Sequence, residues 1–201
     1  MTKKLDKEIT IDTYNRTSKA HSTKFKKYGS RTADIEKAFS YVDKPNLRVL
    51  ELGCGDGRDT KEILKRTNDY LGIDLSKELI KIAKKETSKA KFVLADFEKL
   101  NFTSGIDIVF AFAALLHSDK ESVRDILVKV AKSLNKNGIF FISSKYGDYA
   151  RKIIDRGGPK VNYLYTPSLM KELAPISLMV IHKNIQKIRG QKWFEMIFQK
   201  I

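Results

Sequence analysis

Val49-Leu-Glu-Leu-Gly-Cys-Gly-Asp-Gly57 is an apolar run that ends in three closely spaced glycines. It reads as a buried strand feeding a glycine-rich turn and then a helix, because glycine lets the backbone pass close to a ligand in conformations closed to other residues. A helix starting there offers free N–H donors and the positive end of its dipole to an anionic group. By itself the turn also suits a plain tight connection between strand and helix. Its spacing narrows the choice. A dinucleotide site uses G-x-G-x-x-G to admit a pyrophosphate, whereas here Arg58 occupies the place of the third glycine.

Outward from this stretch, short apolar runs alternate with amphipathic segments of helical length, the pattern of βα units in a parallel sheet covered on both faces. Arg48–Leu52 is the first strand, the helix after the turn is expected to reach about Arg66, and Tyr70–Asp74 is the second strand. Ser76 is placed to cap a helix whose apolar face is Leu79, Ile80, Ile82 and Ala83, and Lys91–Ala95 follows as strand three. Ile106–Ala111 is strand four. Lys120–Leu134 is a helix with Val123, Leu127, Val130 and Leu134 at core spacing, ended by Asn137-Gly138, and Ile139–Ser143 is strand five. Lys145–Tyr165 reads as a helix plus a glycine-containing loop, and Thr166-Pro167 opens a short helix. Ile176–His182 and Lys192–Phe198 form an antiparallel hairpin about Arg189-Gly190. Ahead of the sheet, Thr10–Val42 reads as two helices, with Tyr14 near the start of the first and Ile35, Ala38 and Phe39 on one face of the second.

Asp74 ends the second strand about twenty residues beyond the turn, where a carboxylate can take a ribose diol. Ala95-Asp96-Phe97 closes strand three with a carboxylate able to accept from an exocyclic amine and an aromatic face for a purine; Asp107 stands at strand four. These residues are read as lying at the carboxyl ends of successive parallel strands, the edge where open α/β sheets bind ligands.

On these residues the sequence resembles the class I S-adenosylmethionine-dependent methyltransferases, with further matches at Asp107-Ile-Val-Phe110 and Asn137-Gly-Ile-Phe-Phe-Ile142. The expected architecture is α/β: a Rossmann-like, seven-stranded, mostly parallel sheet with helices on both faces and an N-terminal helical cap. The resemblance implies S-adenosylmethionine as cofactor, with the turn residues Gly53, Cys54, Gly55 and Gly57 around its methionine part and Glu51 helping to position that end. Asp74 would hold the ribose hydroxyls, Leu75 would pack on adenine, and Asp96 with Phe97 would meet the adenine amine and ring. Thr13-Tyr14-Asn15 is similar to the segment of small bacterial methyltransferases in which a tyrosine closes over the cofactor. That narrower likeness also rests on Gly57-Arg-Asp-Thr60, Ala114-Leu-Leu-His117, Ser144-Lys-Tyr-Gly147, Tyr165-Thr-Pro167 and the region of Trp193.

His117, just beyond strand four, stands where it could remove a proton from an acceptor, or it could simply pack and hydrogen-bond near the cofactor. Tyr146, with Tyr149 and Lys145, is a further candidate on the acceptor side, and Phe112, Tyr146 and Tyr163 could line an aromatic enclosure for a compact acceptor. No Asn-Pro-Pro-Tyr or Asp-Pro-Pro-Tyr segment follows strand four, as it does in many relatives that methylate adenine or glutamine; Phe110–His117 occupies that place. No Cys/His cluster suits zinc and scattered carboxylates specify no divalent ion, so no metal is expected.

The 201 residues suit one domain: a helical cap at 1–44, a cofactor-binding core at 45–144, and an acceptor-side segment with the closing hairpin at 145–201. No apolar run has the ~20 residues of a membrane-spanning helix, and the charged Met1–Thr10 lacks the core of a secretory signal. With the lone Cys54, this fits a reducing cytoplasm. The net charge of +15 permits attraction to nucleic acid, acidic membranes or anionic substrates. Thirty of the 39 basic residues are lysine, not the arginine whose planar fork suits phosphate and base edges. They are scattered apart from small clusters at Lys24, Lys26, Lys27 and at Lys81, Lys84, Lys85. The expected acceptor is therefore a small molecule, with RNA, or a non-catalytic cofactor- or RNA-binding role, as the alternative. The oligomeric state is not legible.

Overall fold

The computed structural model describes residues 2–155 and 157–201. Met1 of the expected cap and Arg156 of the expected Lys145–Tyr165 segment lie outside them. In chain order the elements are α1 (Thr2–Lys26), α2 (Thr32–Phe39), β1 (Arg48–Leu52), α3 (Thr60–Ile63), β2 (Asp69–Asp74), α4 (Lys77–Glu86), β3 (Lys91–Leu94) and β4 (Ile106–Phe112). After a 3₁₀ turn at Leu115–His117 come α5 (Lys120–Ser133), β5 (Leu134–Lys145), β6 (Ala150–Asp155), β7 (Pro159–Leu164), α6 (Pro167–Leu173), β8 (Leu178–Ile188) and β9 (Gln191–Lys200).

Seven strands form one sheet in the order β3-β2-β1-β4-β5-β9-β8. The first five run parallel, and β9 joins antiparallel to both β5 and β8. Alternation along the central strands sends side chains to opposite faces, and both faces are apolar because both are covered. Ile108, Phe110 and Phe141 meet Ile35 and Phe39 of α2, Ile63 of α3 and Ile80 of α4 on one face. Val109, Phe140 and Ile142 meet Val123, Leu127 and Val130 of α5 and Met170 of α6 on the other. Three caps act as their residue types dictate: Ser76, Asp119 and Thr166 each accept from the backbone N–H three residues on.

Several boundaries differ from the sequence reading. Among the described residues, Lys145–Tyr165 holds no helix: β6 and β7 pair as a separate two-stranded sheet. Val161, Asn162 and Tyr163 of β7 are all buried, so the run shows neither strand alternation nor a helical period of 3.6. Only Thr60–Ile63 is α-helical in the stretch expected to reach Arg66. Helix α5 stops at Ser133, and Asn137, with φ +63, lies inside the irregular start of β5. Asp107 is the second residue of β4, at the edge opposite the carboxyl ends, where it accepts from Lys44, Asn135 and the backbone N–H of Arg48.

Helix α1 starts well before the expected Thr10, and Tyr14 sits mid-helix. Polar groups dock it. Thr10 accepts from Val161 N–H (3.0 Å), Thr13 donates to Pro159 O (2.7 Å), and Asn15 Oδ1 accepts from Ser76 (2.8 Å). Asp6, almost fully buried, takes two hydrogen bonds from Arg151 and one from Tyr163. The Arg151 hydrogen bond holds the Asp6 carboxyl below its ordinary value of 3.8 despite burial. A depressed carboxyl pKa adds stability above the unfolded value and loses it as pH falls through the folded one. Asp6→Asn is therefore expected to lower the melting temperature at neutral pH, with a gap from the parent that closes as the pH drops below 3.8. Calorimetric melting at several pH values checks this; a gap independent of pH contradicts it.

Candidate active site

The carboxyl edge of the sheet opens into a cavity of about 1160 Å³ roofed by α1. Small-molecule sites usually span roughly 300–1000 Å³, so this one has room for more than a single compact ligand. Its floor is the turn after β1. Gly53, Gly55 and Gly57 have φ of +71, +57 and +74. A Cβ at Gly53 would lie 2.6 Å from the Ala114 Cβ, so the turn and the strand-four exit approach as closely as glycine permits. At Gly55 a Cβ would meet nothing within 4 Å: the turn faces open space there. Ala113 beside it has φ +53, a strained conformation for alanine and a signature of functional loops.

Asp74 spans two loops. One carboxylate oxygen accepts from Gly55 N–H (2.9 Å) and the other from Ser76 N–H (2.8 Å), while burial pushes its carboxyl up from the ordinary value. Glu51, 2% exposed, accepts from Tyr70 OH (2.6 Å); burial first, then the charge of Asp59, raises its pKa to about 8. Leu75, Cys54, Asp96 and Phe97 also line the cavity, and burial holds the Cys54 thiol neutral. Asp96 is engaged: Lys7 of α1 bridges it (2.8 Å) and Glu98 (2.7 Å), so an amine arriving there shares or displaces that ammonium.

At the strand-four exit, His117 Nδ1–H donates to Val161 O (2.8 Å), which fixes the tautomer and leaves Nε2 to accept from Tyr14 OH (3.0 Å). Burial lowers the imidazole pKa to about 4, so the ring is neutral at physiological pH.

The structure thus gathers Tyr14, Glu51, Gly53, Cys54, Gly55, Asp74, Leu75, Asp96, Phe97 and His117 around one cavity. Two expected residues are elsewhere. Gly57 is absent from the lining; its Cα packs against Ala83 of α4 and Phe92, with a would-be Cβ 3.2 Å from Ala83, so its glycine is a helix-packing requirement. Tyr146 is also outside: its N–H bonds to Lys192 O in the sheet and its ring lies under Lys192 Nζ. Tyr163 turns to Asp6, leaving only Phe112 of the expected aromatic trio in the wall. Sequence reasoning missed His21 and Phe25, which share the cavity face of α1 with Tyr14, and Tyr28 in the turn just beyond it; the spacing of seven and four along the helix is the signal that could have found the first two. It also missed Arg31, which binds Asp59 and stands 5.0 Å over the Phe112 ring, since no local pattern joins residues 31 and 59.

A family described as "Methyltransferase domain" matches residues 49–138, from β1 to the start of β5. Over that stretch the chain is similar to the methyltransferase domain family. Among its relatives, the chain is 29% identical over 152 residues to ribosomal RNA small subunit methyltransferase A of Mycoplasmopsis synoviae. It is 32% identical over 111 residues to the ubiquinone biosynthesis O-methyltransferase of Pelagibacter ubique. These matches cover 75% and 51% of the chain but 58% and 44% of those relatives' lengths. In fold it resembles magnesium protoporphyrin IX methyltransferase from Synechocystis, crystallised with bound S-adenosylhomocysteine (TM-score 0.73, 14% identity, 98% and 100% of the two chains). A TehB-like S-adenosylmethionine-dependent methyltransferase from Corynebacterium glutamicum is similar too (TM-score 0.71, 17% identity, 94% and 98%).

The His117 geometry generates a sign. Unfolded, the imidazole takes a proton near 6.5; folded, only near 4. The unfolded chain therefore binds the extra proton between those values, and His117 subtracts from stability as pH falls through that window. In an NMR titration the His117 ring is expected to stay neutral down to about pH 5 with its proton on Nδ1. A ring that titrates near 6.5 contradicts the enclosed Tyr14–His117 pair.

Proposed function

We propose that this chain transfers a methyl group from S-adenosylmethionine to a small organic acceptor within the cavity beneath α1. The observation that carries the reading is that one cavity joins the turn at 53–55, Asp74 and Asp96 to the Tyr14–His117 pair. The residues fit the cofactor. Asp74 offers a carboxylate to the ribose hydroxyls, Leu75 and Phe97 offer apolar faces to adenine, Asp96 accepts from its amine, and the open side of Gly55 leaves room for the methionine portion. When bound, S-adenosylmethionine supplies a methyl carbon activated by a sulfonium and leaves as S-adenosylhomocysteine.

The chain's own contribution is enclosure, alignment and a proton path. α1 excludes water and fixes the acceptor in line, which can supply much of the rate enhancement. Tyr14 accepts the acceptor's proton while passing its own to His117 Nε2, the path their hydrogen bond defines. A base of pKa about 4 is weak, but it suffices for a hydroxyl whose proton has become strongly acidic on methylation. The Pelagibacter O-methyltransferase supports a small acceptor. The Mycoplasmopsis relative and the +15 charge favour RNA as the second reading.

Calorimetry is expected to show saturable binding of S-adenosylhomocysteine and none of NAD. Asp74→Ala should weaken that binding by about 1.5–3 kcal/mol, the worth of a charged hydrogen-bond partner; unchanged affinity removes the ribose assignment.

A metabolite screen read by S-adenosylhomocysteine release is expected to yield a small acceptor. With it, His117→Ala and Tyr14→Phe should lower turnover far more than cofactor affinity. Normal turnover of both at every pH removes the proton path, and tritium transfer from labelled cofactor to total RNA, abolished by Asp74→Ala, overturns the small-molecule reading.

A further inference from the structure

The proton path under α1 uses none of the cations at the far end of that helix. Lys24 of α1, Arg58 of the turn before α3 and Arg189 of the β8–β9 turn all line the cavity, and each places its charge 5.9 Å from the centroid of the Phe25 ring. Arg189 also stacks on Tyr28 at 3.2 Å. Three separate segments converge on one ring, so no helical periodicity accounts for the grouping.

Other cations of this basic chain find carboxylates. Lys7 holds Asp96 and Glu98, Lys26 holds Glu86, and Lys44 holds Asp107. Among the described residues, Lys24, Arg58 and Arg189 form no ion pair; Arg58 donates from Nε to Gly29 O, and the nearby Asp59 is taken by Arg31. Asp59 and then Asp56, both in the same wall, attract Arg58, and Asp56 also attracts His21. Burial, and then repulsion from Arg31, holds the Arg58 guanidinium below its ordinary range, with Arg189 adding to that repulsion. Like charges crowded at a cavity lip raise the local concentration of anions.

From this lip a row of rings leads inward: Phe25 to His21 (4.5 Å), His21 to Tyr14 (5.3 Å) and Tyr14 to His117 (5.5 Å). The helical rise puts Tyr14 and Phe25 about 16 Å apart along α1. Resting on the methyltransferase reading, we propose that the acceptor is an elongated organic anion. Its carboxylate or phosphate sits among Lys24, Arg58 and Arg189, and its flat body lies along Phe25 and His21 toward the Tyr14–His117 pair.

The test uses the whole chain saturated with S-adenosylhomocysteine and three probes by calorimetry: 4-phenylcinnamate, its neutral amide, and 4-biphenylyl phosphate. One of the two anions is expected to bind about tenfold or more tighter than the amide, the scale of charge-assisted hydrogen bonds, and which one does so separates carboxylate from phosphate. Lys24→Gln with Arg189→Gln should erase most of that preference while S-adenosylhomocysteine affinity stays within about twofold. Arg58→Lys should retain the preference. Both substituted side chains are exposed, and melting temperatures establish that the variants are folded. Equal binding of acids and amide overturns the proposal. So does a parallel loss of S-adenosylhomocysteine affinity, which would give the cations to the cofactor's carboxylate, or tighter charge-dependent binding of a short single-stranded RNA. Failure of S-adenosylhomocysteine to bind the parent chain overturns the methyltransferase reading itself, a result distinct from loss of the anion preference.

Discussion

The carboxylate of Asp74 holds two loops at once, and the geometry of the cavity descends from that tie. Its bond to Gly55 N–H positions the turn after β1, and its bond to Ser76 N–H sets the start of α4. Ser76 in turn donates to Asn15 and so anchors α1, which carries Tyr14 to His117. Burying such a carboxylate is unfavourable unless hydrogen bonds satisfy it. Here two backbone donors do so, which spares its remaining lone pairs for a ligand.

The roof is attached differently from the floor. The sheet and its flanking helices cohere by apolar burial on two faces, while α1 is held chiefly by hydrogen bonds and ion pairs at Asp6, Lys7, Thr10, Thr13 and Asn15. Each such tie is individually modest. A cap fixed by several separable polar ties is suited to admit and enclose a ligand without disturbing the core. The hairpin tip reaches the same helix through Arg189 near Phe25, and stacks on Tyr28 just beyond the helix end.

The sheet was legible because its strands obey local rules: apolar runs of strand length, helix starts at Ser76 and Thr166, and the Arg189-Gly190 turn joining β8 to β9. The floor was legible for the same reason, since glycine spacing and strand-end carboxylates are local signals. Helix α1 was legible only from Thr10 onward because its buried face includes Asp6, Thr10, Thr13 and Ser18, which present no apolar periodicity. The hairpin of β6 and β7 was hidden because neither strand alternates: Val161, Asn162 and Tyr163 are all buried, while Lys152 and Ile153 are both exposed. Gly57 carried a local signal whose cause is nonlocal: the need for room is set by Ala83. Arg31 and the cations about Phe25 depend on segments far apart in sequence, and no spacing announces them.

The central claim, that the cavity beneath α1 holds S-adenosylmethionine, is tested most directly by hydrogen–deuterium exchange with and without S-adenosylhomocysteine. The account predicts added protection in three separate stretches: the turn at 53–57, the Asp74–Leu79 loop and helix start, and the cavity face of α1 from Lys7 to Phe25. Protection confined to other segments, or no change at saturating ligand, contradicts it.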